Sequence, residues 1–176
     1  MRSAEASSAG LRDAGVLPTF KHFPGHGRAV GDSHLGRAVT PSWSSLQRLD
    51  IVPYRALLAE GPAAVMVGHL TVPGLSASSL PTSLDPAAYH YLRTTIGFTG
   101  LVVTDDLSGM RAVTARFGLA TAARQALAAG ADMPLLTPPH LDALLDALEQ
   151  DVAARRLSRQ RVAQAAAHVL AIKKCP

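Results

Sequence analysis

Short apolar segments alternate along this chain with longer segments rich in alanine and leucine, and this alternation limits the choice of fold more than any other feature. Short apolar runs are typical of buried strands, while the longer segments have the composition of helices. Repeated strand-then-helix units predict an α/β fold built on a parallel sheet. The predicted strands span about residues 16–20, 63–67, 100–103 and 131–136, and the predicted helices span about residues 46–58, 86–95, 119–129, 140–154 and 158–173.

Three local signals refine these boundaries. Asp85 followed by Pro86 predicts a helix start, because the carboxylate can cap the helix and proline suits its first position. Gly130 predicts a helix end. Pro134 falls inside the last predicted strand and removes a backbone donor. We therefore expect that strand to be distorted or to lie at an exposed edge.

Polar side chains follow the apolar run of each predicted strand. Lys21 and His22 follow the first, His69 the second, Asp105 the third and Thr137 the fourth. Polar groups at successive carboxyl ends of parallel strands are typical of the catalytic face of a barrel. The sequence therefore predicts an active site at this edge of the sheet.

A glycine-rich loop adds further reactive side chains. The sequence K-H-F-P-G-H-G occupies residues 21–27, and Asp32, Ser33 and His34 follow shortly after it. Asp32 stands two residues before His34, close enough to orient the imidazole and to stabilise its protonated form. A histidine held in this way can transfer protons near neutral pH.

The composition excludes several classes of function. Hydrophobic residues make up 48% of the 176 residues and charged residues 17%, which is a globular profile. No apolar run reaches the roughly 18 residues that indicate a membrane span. The net charge of +4 comes mostly from scattered arginines, so we expect no nucleic-acid surface. Cys175 is the single cysteine, so no disulfide framework is expected.

A metal site is an alternative use of the histidines and the aspartate in this loop. His22, His26, Asp32 and His34 include nitrogen and oxygen ligands that zinc accepts. Their spacing matches no common zinc signature. We expect neither a metal nor a cofactor.

Two motifs in the same order resemble one known family. K-H-F-P-G-H-G followed by Asp32-Ser33-His34, and Thr104-Asp105-Asp106-Leu107-Ser108-Gly109-Met110 downstream, resemble the glycoside hydrolase family 3 β-N-acetylhexosaminidases of the bacterial peptidoglycan-recycling type. The resemblance runs from about residue 10 to the C-terminus.

The resemblance implies a partial TIM-type (β/α)8 barrel. Such barrels typically need roughly 250 residues, so residues 1–176 are expected to be the C-terminal part of the catalytic barrel, apparently truncated at the N-terminus. The four predicted strands would be strands five to eight. The segment before the first strand would be the helix of the fourth unit. Open strand edges would then make self-association an alternative way to complete the sheet.

The resemblance also implies roles for individual residues. Asp105 would be the nucleophile, and His34 the acid/base with Asp32 as its partner. Lys21 and His22 would bind the substrate. From the residues alone, Asp105 could instead cap the following helix while Asp106 is solvated.

His69 is expected to line the floor of the pocket and bind substrate, because it ends a predicted strand where members of the family also carry a histidine. A buried histidine with all its hydrogen bonds made is nearly as good an interpretation. The two alternatives differ in whether the ring faces the cavity.

The function implied by the resemblance is hydrolysis of terminal non-reducing N-acetylglucosamine from peptidoglycan fragments, with retention of configuration. The substrate would be a carbohydrate, such as a muropeptide or a chitooligosaccharide. The alternatives are a catalytically incomplete half barrel that only binds a sugar or a partner chain, and a related β-glycoside phosphorylase. The first residues lack the apolar segment of a secretory signal. A cytoplasmic location is thus favoured, with export remaining an alternative if a signal lies upstream.

Overall fold

A parallel sheet with helices packed against it forms the core of the protein. The computed structural model describes residues 2–173, and residues 174–176, which include Cys175, lie outside the described residues together with residue 1. The strands are β1 (Thr19–Phe23), β2 (Ala38–Val39), β3 (Ala64–Val67), β4 (Leu70–Thr71), β5 (Leu101–Asp106) and β6 (Met133–Leu135), and the α-helices are α1 (Arg2–Asp13), α2 (Trp43–Arg48), α3 (Ile51–Leu58), α4 (Pro86–His90), α5 (Arg111–Thr114), α6 (Leu119–Ala129), α7 (Leu141–Ala153) and α8 (Arg159–Ile172).

The main sheet has the strand order β1-β3-β5-β6, and every neighbouring pair is parallel. This confirms the predicted α/β fold, since helical structure lies between each strand of this sheet and the next strand of the same sheet. Within residues 2–173, β1 and β6 each pair with only one strand of this sheet, so the sheet has two open edges. No helix in the same residues is long and apolar enough to cross a bilayer.

The largest group of buried side chains lies between the sheet and the helices. Val65 and Val102 from the strands pack in the same cluster as Tyr89 and Leu92. Helix α6 contributes small buried side chains, of which Ala122 is one, so its backbone can approach the sheet closely. Burial of this apolar surface is the main favourable contribution to folding.

The first strand begins three residues later than predicted. The backbone N–H of Val16 donates to the carbonyl of Leu11 at 2.8 Å, so this apolar residue closes the end of α1. Pro18 has no N–H to donate, although its carbonyl accepts from Ala64 at 2.8 Å. As a consequence β1 starts at Thr19 and contains both Lys21 and His22, which were expected just beyond the strand.

The helix predicted over residues 46–58 is two helices. Helix α2 ends at Arg48 and α3 starts at Ile51, with Leu49 and Asp50 between them. Pro53 explains the break, because in a continuous helix its ring would meet the carbonyl of Leu49, four residues earlier. The helix predicted over residues 86–95 is continuous, but its second half, Tyr91–Thr95, is a π-helix.

The last strand is irregular and lies at an edge, as Pro134 predicted. Among the described residues, strand β6 pairs only with β5, and the register shifts between Val103 and Asp106 of β5. The backbone N–H of Leu135 donates to Thr104 Oγ1 at 3.0 Å. A side chain thus supplies an acceptor where the strand ladder is irregular.

Some elements were not predicted at all. Strands β2 and β4 form a separate two-stranded parallel sheet, and helix α5 is a single turn. Both β2 and β4 have only two residues, too few for an alternating pattern to be visible in the sequence.

A buried carboxylate connects the last elements of the chain. Asp132 lies directly before β6, and its side chain has no exposed surface. It accepts from Arg93 and Arg161, each at 2.6 Å, from His168 Nδ1 at 2.9 Å and from the backbone N–H of Val102 at 3.0 Å. These donors come from the π-helix, α8 and β5, so one carboxylate is bonded to three elements and fixes their relative positions.

We predict that Asp132→Asn lowers the free energy of unfolding by about 3 kcal/mol, because removing one partner of a buried ion pair leaves the other charges uncompensated. Urea-induced unfolding measures the change. Asp146→Asn is the matched control, since Asp146 is exposed on α7, and we expect it to change the free energy by less than about 0.5 kcal/mol. Equal effects of the two substitutions would contradict the role of Asp132.

Candidate active site

Two adjacent carboxylates at the end of β5 point in opposite directions, because successive side chains of a strand alternate between its faces. Asp105 is 8% exposed and lines a cavity of about 1000 Å³ at the carboxyl ends of β1 and β5. Asp106 instead accepts from the backbone N–H of Ser108 at 2.8 Å, and also from its hydroxyl. Asp106 therefore closes the turn after the strand, and Asp105 remains available to a ligand.

Lys21 and His22 reach the same cavity from β1. His22 Nε2 lies 3.4 Å from Asp105 Oδ2, and its ring centroid lies 5.7 Å from that of His26. Burial lowers the pKa of His22, and the neighbouring Asp105 carboxylate opposes this shift. A neutral imidazole beside the carboxylate can donate one hydrogen bond and accept another.

The loop after β1 brings Asp32 and His34 to the cavity. His34 donates to Asp32 Oδ1 twice, from its backbone N–H and from ring Nδ1, both at 2.9 Å. The backbone N–H of His34 is the main cause that lowers the pKa of Asp32, followed by the ring. With Nδ1 committed to the carboxylate, Nε2 is the ring nitrogen left for proton transfer.

His34 and Asp105 line one cavity without touching each other. Within residues 2–173 no hydrogen bond or ion pair joins them, and the side chain of His34 is 66% exposed. The backbone of the loop is held by α5, since Ala112 N–H donates to Ser33 O at 3.1 Å and Arg111 N–H to His34 O at 3.3 Å. His34 therefore lies at the rim of the cavity, above the more buried carboxylate.

His69 is not among the residues that line the cavity. It is 1% exposed, Nε2 lies 2.9 Å from the backbone oxygen of Asp106, and Nδ1 lies 2.6 Å from Ser83 Oγ. A carbonyl can only accept, so Nε2 carries the proton and the Ser83 hydroxyl donates to Nδ1. Burial lowers the pKa of His69, and the bond to the Asp106 carbonyl opposes the shift. This geometry favours the second interpretation, a buried histidine behind Asp105, over contact with substrate.

The cavity also contains residues that the sequence did not single out. Arg28, Asp50 and Tyr54 all line it. Asp50 and Tyr54 come from the break between α2 and α3 and from α3 itself, and Pro53 was the sequence signal that could have indicated this break. Within residues 2–173 no three histidine, cysteine or acidic side chains lie close enough together to share a metal ion.

The burial of His69 predicts a pH dependence of stability. Its pKa in the native protein is lower than the ordinary value of about 6.5. Below that pH the unfolded chain takes up a proton that native His69 does not, so stability falls as the pH falls, by at most about 1.4 kcal/mol per pH unit. Urea unfolding between pH 7.5 and pH 5.5 should show a smaller decline for His69→Gln than for wild type.

The control for this experiment is His90→Gln, because His90 is exposed on α4. This variant should keep the pH dependence of the wild type. If His69→Gln and wild type lose stability equally on acidification, the assignment of a neutral native His69 is wrong.

Comparison with known proteins gives the family of the chain. The model of the family described as "Glycosyl hydrolase family 3 N terminal domain" matches residues 1–172. The chain is 49% identical over 176 residues to the beta-hexosaminidase LpqI of Mycobacterium tuberculosis, and 37% identical over 160 residues to a beta-hexosaminidase of Xylella fastidiosa. These alignments cover 97% and 87% of this chain but 45% and 44% of the relatives, so the chain spans less than half of their length.

Solved structures agree with this relationship. A glycosyl hydrolase of the GH3 family from Mycobacterium smegmatis matches with a TM-score of 0.91 and 50% identity, over 96% of this chain and 54% of that one. A glycoside hydrolase family 3 beta-N-acetylglucosaminidase from Paenibacillus sp. matches with a TM-score of 0.90 and 36% identity, over 97% of this chain and 33% of that one. The chain, with its parallel α/β sheet and its cavity at the strand ends, belongs to glycosyl hydrolase family 3 and matches the N-terminal domain of that family.

Proposed function

We propose that this chain is the C-terminal half of a family 3 catalytic barrel, contributing strands five to eight, in residues 1–176. Together with the remaining strands it hydrolyses terminal non-reducing N-acetylglucosamine from peptidoglycan fragments, with retention of configuration. The proposal is supported by the similarity to beta-hexosaminidases and by the two open edges of the sheet.

One observation carries the proposal. Asp105 ends a buried strand, is itself largely buried, and yet faces the cavity, with His22 at 3.4 Å. A carboxylate in such a position needs either a structural partner or a reaction. Asp106 closes the turn. Asp105 Oδ1 accepts from the backbone N–H of Asp106 at 3.0 Å, and Oδ2 faces His22 in the cavity. We assign the chemistry to Asp105 because it is the acid of the pair that lines the cavity.

In the first step, an Asp105 oxygen attacks the anomeric carbon of the sugar while the bond from that carbon to the leaving oxygen breaks. The product is a sugar ester of Asp105. The leaving oxygen takes its proton from Nε2 of the His34 imidazolium. Asp32 stabilises the charged ring through Nδ1, where the two groups are 2.9 Å apart.

In the second step, His34 acts as the base. The neutral ring accepts a proton at Nε2 from a water molecule, the water oxygen bonds to the anomeric carbon, and the Asp105 ester bond breaks. Two inversions give net retention. The rim position of His34 suits this role, because the group must serve both a departing aglycone and an incoming water.

Lys21 and His22 bind the sugar in this proposal. The Lys21 ammonium offers three donors and the neutral His22 ring one, and sugar hydroxyls can accept from both. His69, which we had expected to bind substrate directly, would act through its bond to the Asp106 carbonyl. It would thereby fix the peptide group that follows Asp106, one residue beyond Asp105.

We predict that Asp105→Asn lowers kcat for a chromogenic N-acetylglucosamine glycoside by roughly 10³-fold or more, the scale seen when a group that forms the covalent bond is removed. The measurement uses the protein with its complete barrel. Asp106→Asn is the matched control, since an asparagine Oδ1 can still accept from Ser108, and its effect should be much smaller.

A slow fluorosugar should trap the adduct on Asp105, which peptide mass spectrometry would locate. Unchanged turnover in Asp105→Asn, or labelling of another side chain, would reject the assignment of the nucleophile.

We predict that His34→Ala lowers kcat/KM by about 10² to 10⁴ for glycosides with poor leaving groups, the usual contribution of general acid catalysis. For a dinitrophenyl glycoside kcat/KM should stay close to wild type, because its leaving oxygen needs no proton in the first step. His140→Ala, at an exposed site, is the control, and an equal loss for both substrates would contradict the role of His34.

The open strand edges favour one alternative, that the chain alone is a catalytically incomplete half barrel. Turnover by the isolated 176-residue chain would dismiss this alternative, whereas activity that appears only with the other half supports the proposed division of the barrel. A phosphorylase is distinguished by its product, because it would release a sugar phosphate in phosphate buffer and a hydrolase would not.

A further inference from the structure

The first half of the loop that carries His34 is held by side chains rather than by backbone. In residues 2–173, no backbone hydrogen bond joins residues 25–28 to a strand or helix, and only Ala29 N–H donates back to His26 O, at 2.9 Å. The catalytic loop, defined here as residues 24–37, therefore depends on other contacts over this stretch.

Arg28 supplies those contacts. Its Nη2 lies 2.5 Å from Asp50 Oδ2 and 3.1 Å from Ser45 Oγ, and its Nε lies 3.4 Å from Asp50 Oδ1. Ser45 belongs to α2 and Asp50 precedes α3. One guanidinium thus joins the loop to both helices, in the two-point geometry that arginine and a carboxylate prefer. We call Arg28, Ser45 and Asp50 the Arg28 clasp.

Asp50 is free to make this contact because it does not cap α3. Its backbone has the helical angles φ −78° and ψ −27° instead of the extended conformation of a capping residue, and its side chain makes no bond to the first N–H groups of the helix. Its carboxylate lines the cavity and binds Arg28.

The loop backbone also packs directly on Asp50. A Cβ at Gly25 would come within 2.5 Å of Asp50 Cβ, and Gly25 has a φ of +143°. Only glycine combines this backbone conformation with so close an approach. The clasp is therefore a packed contact at Gly25 as well as an ion pair at Arg28.

The second half of the loop is anchored differently. Ser33 and His34 accept from the backbone of α5, and Val30 pairs with Val39. Gly31, with a φ of +94°, and Gly36 flank the segment that carries Asp32 and His34. Residues 31–36 are thus held by backbone bonds to α5, whereas residues 25–28 are held by the clasp.

We propose that Arg28 is a positioning residue for His34. Through Asp50 and Ser45 it fixes the base of the catalytic loop, so that the short segment between Gly31 and Gly36 holds His34 where the leaving oxygen would lie. This inference rests on the proposed glycosidase function. Arg28 itself does not need to touch the reacting atoms.

The test compares Arg28→Ala with Arg37→Ala in the full-length protein. Both remove one arginine from the same loop, but Arg37 bonds only to Thr71 Oγ1, at 3.4 Å, within residues 2–173, and does not line the cavity. We expect amide hydrogen exchange in residues 25–36 to accelerate in Arg28→Ala and to stay at the wild-type rate in Arg37→Ala.

The kinetic readout uses two leaving groups. For a methylumbelliferyl glycoside, Arg28→Ala should lower kcat/KM roughly tenfold, since misplacing a catalytic group by about 1 Å can cost up to about 10²-fold. For a dinitrophenyl glycoside, which needs no proton, kcat/KM should stay close to wild type. Arg28→Lys, which keeps the charge but not the two-point contact, should fall between Arg28→Ala and wild type.

Asp50→Asn and Arg28→Ala should also be non-additive, because the two residues act through one contact. Arg28→Ala that matches Arg37→Ala in exchange and in both rates would overturn the proposal. Equal losses for both glycosides would overturn it as well, because they would indicate direct binding of the sugar by Arg28.

Failure of this inference is distinguishable from failure of the proposed function. Trapping of a fluorosugar on Asp105 in the Arg28→Ala protein shows that the nucleophile works regardless of the clasp. If Asp105 is trapped but the two arginine variants behave alike, only the clasp is wrong. If Asp105 is not trapped in wild type, the proposed function is wrong.

Discussion

The alternation of side chains along β5 is the constraint on which the site depends. Two neighbouring carboxylates on one strand must face opposite sides, so Asp105 and Asp106 cannot serve the same surface. Asp105 lines the cavity, and Asp106 closes the following turn by binding Ser108. Asp106 therefore stabilises the turn directly after Asp105. Gly109 completes this turn, because a Cβ there would come within 2.7 Å of Asp106 Oδ2.

The support extends behind the strand through buried polar contacts. His69 donates to the Asp106 carbonyl and accepts from Ser83, so the segments that carry His69 and Ser83 are fixed relative to the peptide group that follows Asp106. The opposite wall of the cavity is the catalytic loop, which is bonded to α5 through the backbone and to the α2–α3 junction through Arg28. The buried carboxylate of Asp105 and the exposed imidazole of His34 therefore face one cavity from two differently supported segments.

Sequence reasoning succeeded where a local pattern has one structural outcome. Helix α6 was predicted at its observed bounds, since its alanine-rich run ends at Gly130, which has the positive φ of 133° that glycine tolerates. It failed where the pattern was ambiguous or where distant residues decide. The apolar Val16 fits the start of a strand, but its backbone N–H bonds to Leu11 and closes the end of α1. Arg28 and Asp50, which are 22 residues apart, share no pattern that links them.

The sequence by itself determined the strand–helix alternation, the family motifs and the presence of two acids and several imidazoles near the strand ends, because these follow from local composition and spacing. Only the tertiary structure decided which acid faces the cavity, that His69 is enclosed behind it, and that Arg28 fastens the loop to Asp50. The physical reason is that burial and hydrogen-bond partners are properties of residues brought together from distant parts of the chain, and no local pattern encodes them.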